Sequence, residues 1–326
     1  TANGVPRIDF LGNTSGALKL EPQRTNLVTY SSDFSNAVWA KNGALIATAN
    51  ASTSPSGETD STLLYNTGNE NRISQNISVV SGNSYTMSVY LRNNGGNNTI
   101  TFEAIGYSSQ SITINNDWAR YDYTITATST ASVQFRFLSF DNNINLYAWG
   151  AQVEQGSYAT SLINTQGSAV TRVQDACSQT PPSGIIGQTE GTVYWEIDVQ
   201  TTVATANENI LNIDNGNGFG STIYLSKSAT GNLIAEMYLS SSLQASFTKT
   251  NITKGIHKMA MAYANNNTAF FVDGIQVGIT DTSCTVPLMS RIQLGNGVFG
   301  QMIGLSNDLK LYNTRLSNAE LAALTS

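Results

Sequence analysis

The sequence predicts an all-β protein with two tandem β-sandwich (jelly-roll) domains and a short C-terminal helix. Short alternating or apolar runs recur along the 326 residues and are separated by turns rich in Asn, Gly and Ser, which is typical of strands joined by hairpins. Only the last few residues show a helical pattern. At roughly 100 to 200 residues per domain, the chain is long enough for two domains, each with its own core.

In the first half of the chain, alternating apolar positions predict five clear strands. They span residues 85–91, 99–104, 121–126, 133–138 and 145–153. A run of Asn and Gly at residues 93–98 predicts the turn that separates the first two of these strands.

The second half has the same pattern and ends in the helix. Its predicted strands are residues 192–199, 221–225, 233–239, 257–264, 269–272 and 291–294. The pair Asp273-Gly274 predicts a hairpin, because a type I′ turn needs positive φ at both central positions. Ser317 and Glu320 form a capping box before an apolar face, which predicts the short terminal helix.

Changes in composition divide the chain into four parts. Residues 1–24 are turn-rich and predict an extended N-terminal lead-in that docks on the first sandwich or on a partner chain. Residues 25–163 are predicted to form the first sandwich, and residues 191–326 the second. Residues 164–190, rich in Ser, Gln and Gly, are the linker that leads into the second sandwich.

The charge of the chain excludes some classes of partner. Sixteen Lys and Arg against 22 Asp and Glu give a net charge of −6, so the chain lacks the basic field that binds phosphates. Nucleic acid and anionic membrane surfaces are therefore not expected as partners. Membrane insertion is not expected either, because no stretch approaches roughly 18 to 20 apolar residues. The start at Thr1, without an initiator Met or a basic leader, predicts a fragment or a processed product.

Candidate catalytic residues are few. His257 is the one histidine, so any Ser-His-Asp, Cys-His or multi-histidine metal mechanism would depend on it. It opens a predicted strand without a nominated Ser or Asp partner, and we interpret it as a hydrogen-bonding group at a strand end. We nominate no catalytic residue, and the expectation is a protein that is not an enzyme.

The two cysteines, Cys177 and Cys284, are too few for a disulfide scaffold and lack the His neighbours of a zinc site. They form either one bridge or two buried thiols. The sequence leaves both alternatives open, because it does not show whether their Cα atoms come within about 7 Å.

Outward-facing side chains on two strands form the candidate ligand site. If the apolar residues at every second position of strand 85–91 face the core, Tyr90 and Arg92 face outward. The same alternation in strand 133–138 places Gln134 and Arg136 on the outward side. We expect the two strands to be neighbours and these four side chains to share one face, with Glu103 nearby. Such a face suits a glycan, because rings pack on sugar C–H groups and polar groups bind hydroxyls.

The tryptophans have two interpretations. Trp149 shares a face with Tyr147 by the strand period, although the sequence does not decide which face, and we add Trp149 to the candidate glycan site. The alternative is that the tryptophans are core aromatics of the jelly roll. We favour that alternative for Trp39 and Trp118.

Four segments of the second half are similar to the concanavalin A-like (laminin-G-like) lectin/glucanase fold. They are GTVYWE at 191–196, HKMAMAY at 257–263, FVDG at 271–274 and IGLSNDLKLYNTRLS at 303–317. The resemblance spans roughly residues 166 to 326. Its most specific part is the closing strand that runs into Tyr-Asn-x-Arg-Leu-Ser and the short helix.

This resemblance implies two kinds of site, and the residues fit each of them poorly. Glucanases of this fold have Glu-x-Asp-x-x-Glu on one strand, whereas Glu196 and Asp198 are followed by Thr201, so the acid/base carboxylate is missing. We interpret both acids as the polar face of a half-buried strand. The fold also often binds calcium, for which Asp214 is a weak candidate, and a turn is favoured there. A structural Ca²⁺ is therefore the one cofactor that the resemblance suggests for this chain.

The first half resembles a galactose-binding-like jelly roll of the carbohydrate-binding-module type. The matching segments are NLVTYSSDF at 26–34, YTMSVYLR at 85–92, DWARY at 117–121 and YAWGAQVE at 147–154. The last of these has no Asp, although jelly rolls of this type often hold a calcium ion there. LEPQRTNL at 20–27, WGAQVEQGSYATS at 149–161 and VTR at 170–172 resemble bacteriophage tail and virion-surface proteins in particular.

These resemblances imply a function. The expectation is a non-catalytic, lectin-like carbohydrate-binding protein, exposed on the tail or fibre of a phage virion or otherwise extracellular, that recognises host cell-surface polysaccharide. Partners would be that glycan, other virion proteins and further copies of the chain in a homo-oligomer, because shallow sugar sites gain affinity from many copies. The alternatives are tandem carbohydrate-binding modules of a secreted polysaccharide-degrading enzyme, a glycanase or lyase, and a purely architectural virion component.

Overall fold

A computed structural model shows the predicted all-β protein with a short helix at the C-terminus. It describes residues 8–9, 16–42, 45–66, 71–96, 98–139, 144–175, 177–199, 202, 207–216, 220–294, 300–301 and 304–326. The chain forms two compact units. The first sandwich is Gln23–Val173, and the second sandwich is Gln174–Ser326 together with Thr1–Pro22. In the described part of the chain, no helix is long and apolar enough to span a membrane.

The strands, in chain order, are β1 Ile8–Asp9, β2 Ala17–Leu20, β3 Arg24–Asn26, β4 Ala40–Asn42, β5 Ile46–Ser52, β6 Ser61–Asn66, β7 Asn71–Val79, β8 Ser84–Asn93, β9 Thr99–Ala104, β10 Gln110–Thr113, β11 Ala119–Thr126, β12 Ala131–Ser139, β13 Ile144–Gln155, β14 Val170–Arg172, β15 Cys177–Gln179, β16 Glu190–Val199, β17 Glu208–Asp214, β18 Thr222–Lys227, β19 Leu233–Leu239, β20 Ser242–Lys249, β21 Gly255–Ala264, β22 Thr268–Val272, β23 Ile275–Asp281, β24 Arg291–Leu294, β25 Gly300–Gln301 and β26 Gly304–Tyr312. The helix α1 is Asn318–Leu324.

The first sandwich has two antiparallel five-stranded sheets, in the orders β10-β9-β12-β7-β4 and β11-β8-β13-β6-β5. A two-stranded sheet of β14 and β3 accompanies them. The predicted inward row of β8, for example Met87 and Leu91, is buried in the core, where it meets Phe102, Phe135 and Phe137 of the opposite sheet. The strand period of two therefore assigned the faces of β8 and β12 correctly.

The second sandwich also has two sheets. One has the order β1-β2-β26-β16-β21-β22-β23, and the other has the order β15-β24-β17-β18-β19-β20, with β25 beside β17. Apolar side chains from both sheets form its core, among them Trp195, Ile213, Met261 and Phe270. The second sandwich therefore has a hydrophobic core of its own, as expected for a separate domain.

The N-terminal segment lies elsewhere than expected. Residues 1–24 were expected to dock on the first sandwich or on a partner, but β2 pairs with β26 of the second sandwich, with Leu18 opposite Ser306. The backbone N–H of Glu21 also donates to Asp175 Oδ2 at 2.8 Å, again within the second sandwich. The reason is that β2 completes the hydrogen bonds along one side of β26, a long-range pairing for which the sequence has no local signal.

Two local signals of the second sandwich are confirmed. Asp273 and Gly274 have φ of 51° and 78°, as a type I′ turn between β22 and β23 requires. Ser317 Oγ accepts from the backbone N–H of Glu320, whose carboxylate accepts from the backbone N–H of Ser317, so the capping box begins α1. The helix buries Leu321 fully.

Buried tyrosines of the second sandwich predict a loss of stability in alkali. Burial raises the pKa of Tyr263, and burial together with the Glu196 carboxylate raises the pKa of Tyr194. Burial and a hydrogen bond to Glu236 raise the pKa of Tyr224. Because the folded pKa lies above the unfolded one, stability is complete below about pH 10 and is lost above it, by about 1 kcal/mol per pH unit for each tyrosine.

Urea unfolding between pH 8 and 11, with tyrosinate absorbance of the folded protein, measures this loss. The Tyr263→Phe variant is the control and should lose stability less steeply with pH. A folded protein whose 14 tyrosines all ionise near pH 10 would contradict the prediction.

Candidate functional site

Four aromatic side chains and one arginine lie close together on the outer surface of the sheet β11-β8-β13-β6-β5. In β8 and β13, Tyr90 pairs with Trp149 and Arg92 pairs with Tyr147, on the opposite side from the buried row. Trp118 directly precedes β11, whose first residue pairs with Leu91, the neighbour of Arg92. Tyr90, Arg92, Trp118, Tyr147 and Trp149 are called the aromatic face below.

Arg92 is the centre of one half of the aromatic face. Its guanidinium carbon lies 4.6 Å from the ring centroid of Tyr147 and 5.2 Å from that of Trp118. Arg92 Nη2 donates to Ser52 Oγ at 2.6 Å. Arg92, Trp118 and Tyr147 are each half-buried. The cation is thus held between two rings, in a surface that a ligand can reach.

Tyr90 and Trp149 form the other half. Their ring centroids are 5.4 Å apart with the planes tilted by 59°. Arg120 lies over the ring of Tyr90, with its guanidinium carbon 5.4 Å from the ring centroid. Its Nη2 donates to Ser88 Oγ at 2.8 Å. Trp149 is only 7% exposed, and its Nε1–H donates to Asp60 Oδ2 at 2.9 Å. These contacts hold the rings in place before any ligand binds.

A β-bulge shapes this half of the face. The register of β13 against β8 shifts between Trp149 and Gln152, and Gly150 lies within the shift with φ of 65°. A Cβ on Gly150 would lie 2.7 Å from Leu162 Cδ2 and 3.3 Å from Tyr90 Cδ2. Glycine is therefore favoured by the left-handed backbone conformation, and a Cβ at this position would also displace the Leu162 side chain.

An open groove lies beside the aromatic face within the first sandwich. It has a volume of about 690 Å³ and is lined by Tyr30, Asp33, Asp60 and Asn164, among other residues. Asp60 belongs to both places, because it lines the groove and binds the indole of Trp149. Carboxylate, amide and hydroxyl groups thus border the aromatic rings on this side.

The prediction for Trp118 is wrong and that for Trp39 is confirmed. Trp39 is 2% exposed and packs on Phe34, with ring centroids 4.7 Å apart. Trp118 is half-buried on the outer surface, where its Nε1–H donates to the backbone oxygen of Thr53 at 2.9 Å. The polar run Asn115-Asn116-Asp117 before Trp118 was a signal of a loop and not of a core strand.

The predicted face that unites Arg92 with Arg136 is also wrong. Gln134 and Arg136 lie on β12, which belongs to the other sheet of the sandwich. Outer faces of the two sheets point in opposite directions, so these side chains cannot join the aromatic face. Arg136 instead donates from Nε and Nη2 to Glu103 Oε2 at 2.8 and 2.6 Å, and from Nη1 to Gln134 Oε1 at 3.4 Å.

The acids and the histidine of the second sandwich have structural partners. Glu196, on β16, accepts from the Tyr194 hydroxyl at 3.3 Å and is half-buried, as is Asp198, whereas Thr201 lies outside the described residues. His257 Nδ1 lies 2.7 Å from Asp273 Oδ2, and Nε2 lies 2.9 Å from the backbone oxygen of Thr253. The histidine thereby joins the start of β21 to the β22–β23 turn. The partner Asp273 was not predicted.

Asp214, for which the sequence favoured a turn, is the last residue of strand β17. The Asp214 carboxylate accepts from Arg291 at 2.9 and 3.2 Å and from the backbone N–H of Gly216 at 2.8 Å. A calcium ion would have to displace this guanidinium, and the site stays a prediction. Among the described residues, no group of three or more His, Cys, Asp and Glu could hold a metal.

Both cysteines are free thiols in this structure. Cys177 is half-buried on β15, and Cys284 is fully buried with Sγ 3.1 Å from Thr268 Oγ1. Of the two alternatives that the sequence left open, the structure has the unbridged one.

Comparisons with known proteins give structural neighbours of low similarity. No family model matches the sequence, and no curated protein matches it. Among solved structures, the CBM40 carbohydrate-binding module of the Ruminococcus gnavus IT-sialidase is 16% identical, with 43% of this chain and 84% of that chain covered at a TM-score of 0.35. A heptameric SAP-like pentraxin from Limulus polyphemus is 14% identical, with 42% of this chain and 70% of that chain covered at a TM-score of 0.35.

A Trypanosoma rangeli sialidase is 16% identical, with 42% of this chain and 22% of that chain covered at a TM-score of 0.33. The neighbours are thus a carbohydrate-binding module, a pentraxin and a sialidase. At these identities and TM-scores they assign neither a family nor a function, and none of them indicates a phage.

Proposed function

We propose that the first sandwich binds carbohydrate on the aromatic face. The observation that supports this most directly is the arrangement of Trp118, Arg92 and Tyr147, which presents two half-buried rings and a cation on one outer sheet surface. Aromatic rings pack against the C–H faces of pyranoses, and polar groups beside them bind the hydroxyls. Asp60 and Ser52 supply acceptors and donors at the border of this surface.

The chemistry at this surface is binding by pre-positioned groups. Stacking with Arg92 and hydrogen bonds to Asp60 and Thr53 restrict the rings, so little side-chain entropy is lost when a sugar packs on them. The surface is shallow, and single sites of this kind bind weakly. Several copies of the chain on one particle would raise the avidity through effective concentration.

In biological terms, we propose a tail or fibre protein on the surface of a phage virion that recognises host cell-surface polysaccharide. The support for this is the resemblance of residues 20–27, 149–161 and 170–172 to virion-surface proteins. Tandem modules of a secreted polysaccharide-degrading enzyme would have the same aromatic face. Genes for a catalytic domain, in place of virion genes, beside the coding sequence would favour that alternative. A purely architectural virion component would bind no glycan.

We propose that binding occurs without catalysis. The candidate acids and the histidine are engaged in contacts within the second sandwich: Glu196 with Tyr194, and His257 with Asp273. Release of reducing ends or unsaturated sugars from a panel of polysaccharides, abolished by Glu196→Gln, would overturn this part of the proposal.

Trp118→Ala tests the proposed surface. Loss of one stacking ring should weaken binding to a glycan by about 30-fold, corresponding to about 2 kcal/mol. The measurement is binding of the labelled protein, multimerised on beads, to an array of bacterial and algal surface polysaccharides. Arg136→Ala is the matched control, because Arg136 is an outward arginine on the opposite sheet of the same sandwich.

The Arg136→Ala variant should bind as the unchanged protein does. If the unchanged protein binds a glycan and Trp118→Ala binds it equally well, the aromatic face is not the site. Silence of the multimerised protein across the whole array would favour the architectural role.

A further inference from the structure

Arg92 differs in its partners from three other arginines of the described residues. Arg24, Arg136 and Arg291 each lie within 3.5 Å of a carboxylate oxygen, of Glu154, Glu103 and Asp214 respectively. Among the described residues, no carboxylate lies within salt-bridge distance of Arg92, whose polar partner is the Ser52 hydroxyl. Its positive charge therefore lies against two aromatic rings and is not neutralised by an acid of the described residues.

This environment favours an anion from outside. An arginine has five N–H donors in a planar fork, of which Arg92 uses one on Ser52, so donors are left for a bidentate contact with an oxyanion. The rings of Trp118 and Tyr147 exclude water from the faces of the guanidinium, which strengthens a charge-assisted hydrogen bond. The same rings offer apolar surface on which a pyranose can pack.

We infer that the aromatic face selects acidic glycans, with Arg92 as the specificity-determining residue that binds an oxyanion on the sugar. This inference rests on the proposed function and specifies its substrate class. The oxyanion is a carboxylate of a uronic-acid type sugar or a sulfate ester. Because the whole chain has a net charge of −6, a preference for polyanions cannot arise from general attraction and needs a local site such as this one.

The test uses matched pairs of polysaccharides that differ only in charge. Polygalacturonate is compared with its carboxyl-reduced form, and dextran sulfate with dextran, each titrated against the full chain by surface plasmon resonance. We expect at least about tenfold tighter binding of one charged member than of its neutral partner. The preference should decrease between low and high salt, because screening weakens an exposed charge pair. The pair that shows it distinguishes carboxylate from sulfate.

Three variants assign the preference to Arg92. Arg92→Gln should bind the charged and neutral members equally, and Arg92→Lys should keep part of the preference, because an ammonium retains the charge but not the fork. Arg136→Gln, the matched control on the opposite sheet, should keep the full preference.

Three outcomes separate this inference from the proposed function. If Trp118→Ala weakens binding but the unchanged protein binds charged and neutral members equally, glycan binding stands and the acidic selectivity is overturned. If Arg92→Gln is folded and keeps the preference, Arg92 is not its source and the inference is likewise overturned. If no member of either pair and no polysaccharide of the array binds, the proposed function itself fails.

Discussion

Replacing Glu208 with alanine is expected to lower the free energy of unfolding of the second sandwich by about 3–5 kcal/mol. Lys227 is fully buried, with its side chain 0% exposed, and its Nζ lies 3.0 Å from Glu208 Oε2. The two residues face each other across the antiparallel pair β17–β18. Without the carboxylate, a buried ammonium remains with no counter-charge, and the interior cannot solvate it.

Such a loss would be a large part of the stability of a domain, which is typically about 5–15 kcal/mol. Because the chain has two sandwiches, unfolding should be followed separately in each. Hydrogen–deuterium exchange with mass spectrometry does this, and peptides from β17 and β18 should exchange faster in the variant while peptides of the first sandwich do not.

Two further variants show that the cause is the unpaired charge. Replacing both members, as Glu208→Leu with Lys227→Met, should recover most of the stability, because buried ion pairs are often replaced by apolar residues without cost. Asp308→Asn breaks the pair Lys310–Asp308, whose side chains are 47% and 41% exposed, and should cost less than about 1 kcal/mol. If Glu208→Ala were as stable as Asp308→Asn, the prediction would be wrong.

The second large effect is expected from Asn26→Ala in the first sandwich, at about 3–4 kcal/mol of unfolding free energy. Asn26 is fully buried, and its Nδ2 donates to the backbone oxygens of Ala151 and Ile163 at 3.1 and 2.8 Å. Its Oδ1 accepts from the backbone N–H groups of Val28 and Val153, both at 3.2 Å. One side chain thus satisfies four buried backbone groups, which alanine would leave unpaired.

Asn164→Ala is the matched control for this substitution. Asn164 lies one residue after Ile163 but is exposed, and it accepts only from the hydroxyls of Ser31 and Ser32, at 3.3 and 3.2 Å. It should cost about 0.5 kcal/mol or less. Urea unfolding of both variants measures the difference, and equal stability of the two would contradict the role given to Asn26.

The Asn26 contacts also bear on the binding surface. Ala151, which Asn26 holds, lies within the bulge between Trp149 and Gln152. Glycan binding by the Asn26→Ala variant should therefore weaken at temperatures where the protein is still folded. A buried amide of the core thus helps to position the aromatic face.

Local features of this protein could be predicted because they depend on neighbours in sequence. The inward row of β8 follows from alternation alone, and the Asp273-Gly274 turn follows from residues that tolerate positive φ. The capping box at Ser317 needs only the residue three positions later. Strands β9, β19 and β24 have the bounds that the sequence predicts.

Within the candidate site, the sequence found part of the surface. Alternation along β8 placed Tyr90 and Arg92 outward, and Trp149 was added with the face undecided. The structure places Trp149 opposite Tyr90, because β13 pairs with β8. The sequence missed Trp118, which precedes its strand, so that no strand period applies to it. It also included Arg136 wrongly, because the alternation in β12 shows that Arg136 points outward but not from which sheet.

Sequence patterns alone thus specify the all-β class, the positions of 11 of the 26 strands in the described residues, the orientation of side chains along β8 and β12, and the turn and helix cap. The assignment of strands to sheets, the position of β2 beside β26, and the pairs Lys227–Glu208 and His257–Asp273 are known from the three-dimensional structure alone. The difference arises from the distance along the chain over which each kind of interaction acts. Torsional preferences and the strand period act between neighbours in the chain, whereas sheet order is set by the packing of the whole core and by hydrogen bonds between distant segments.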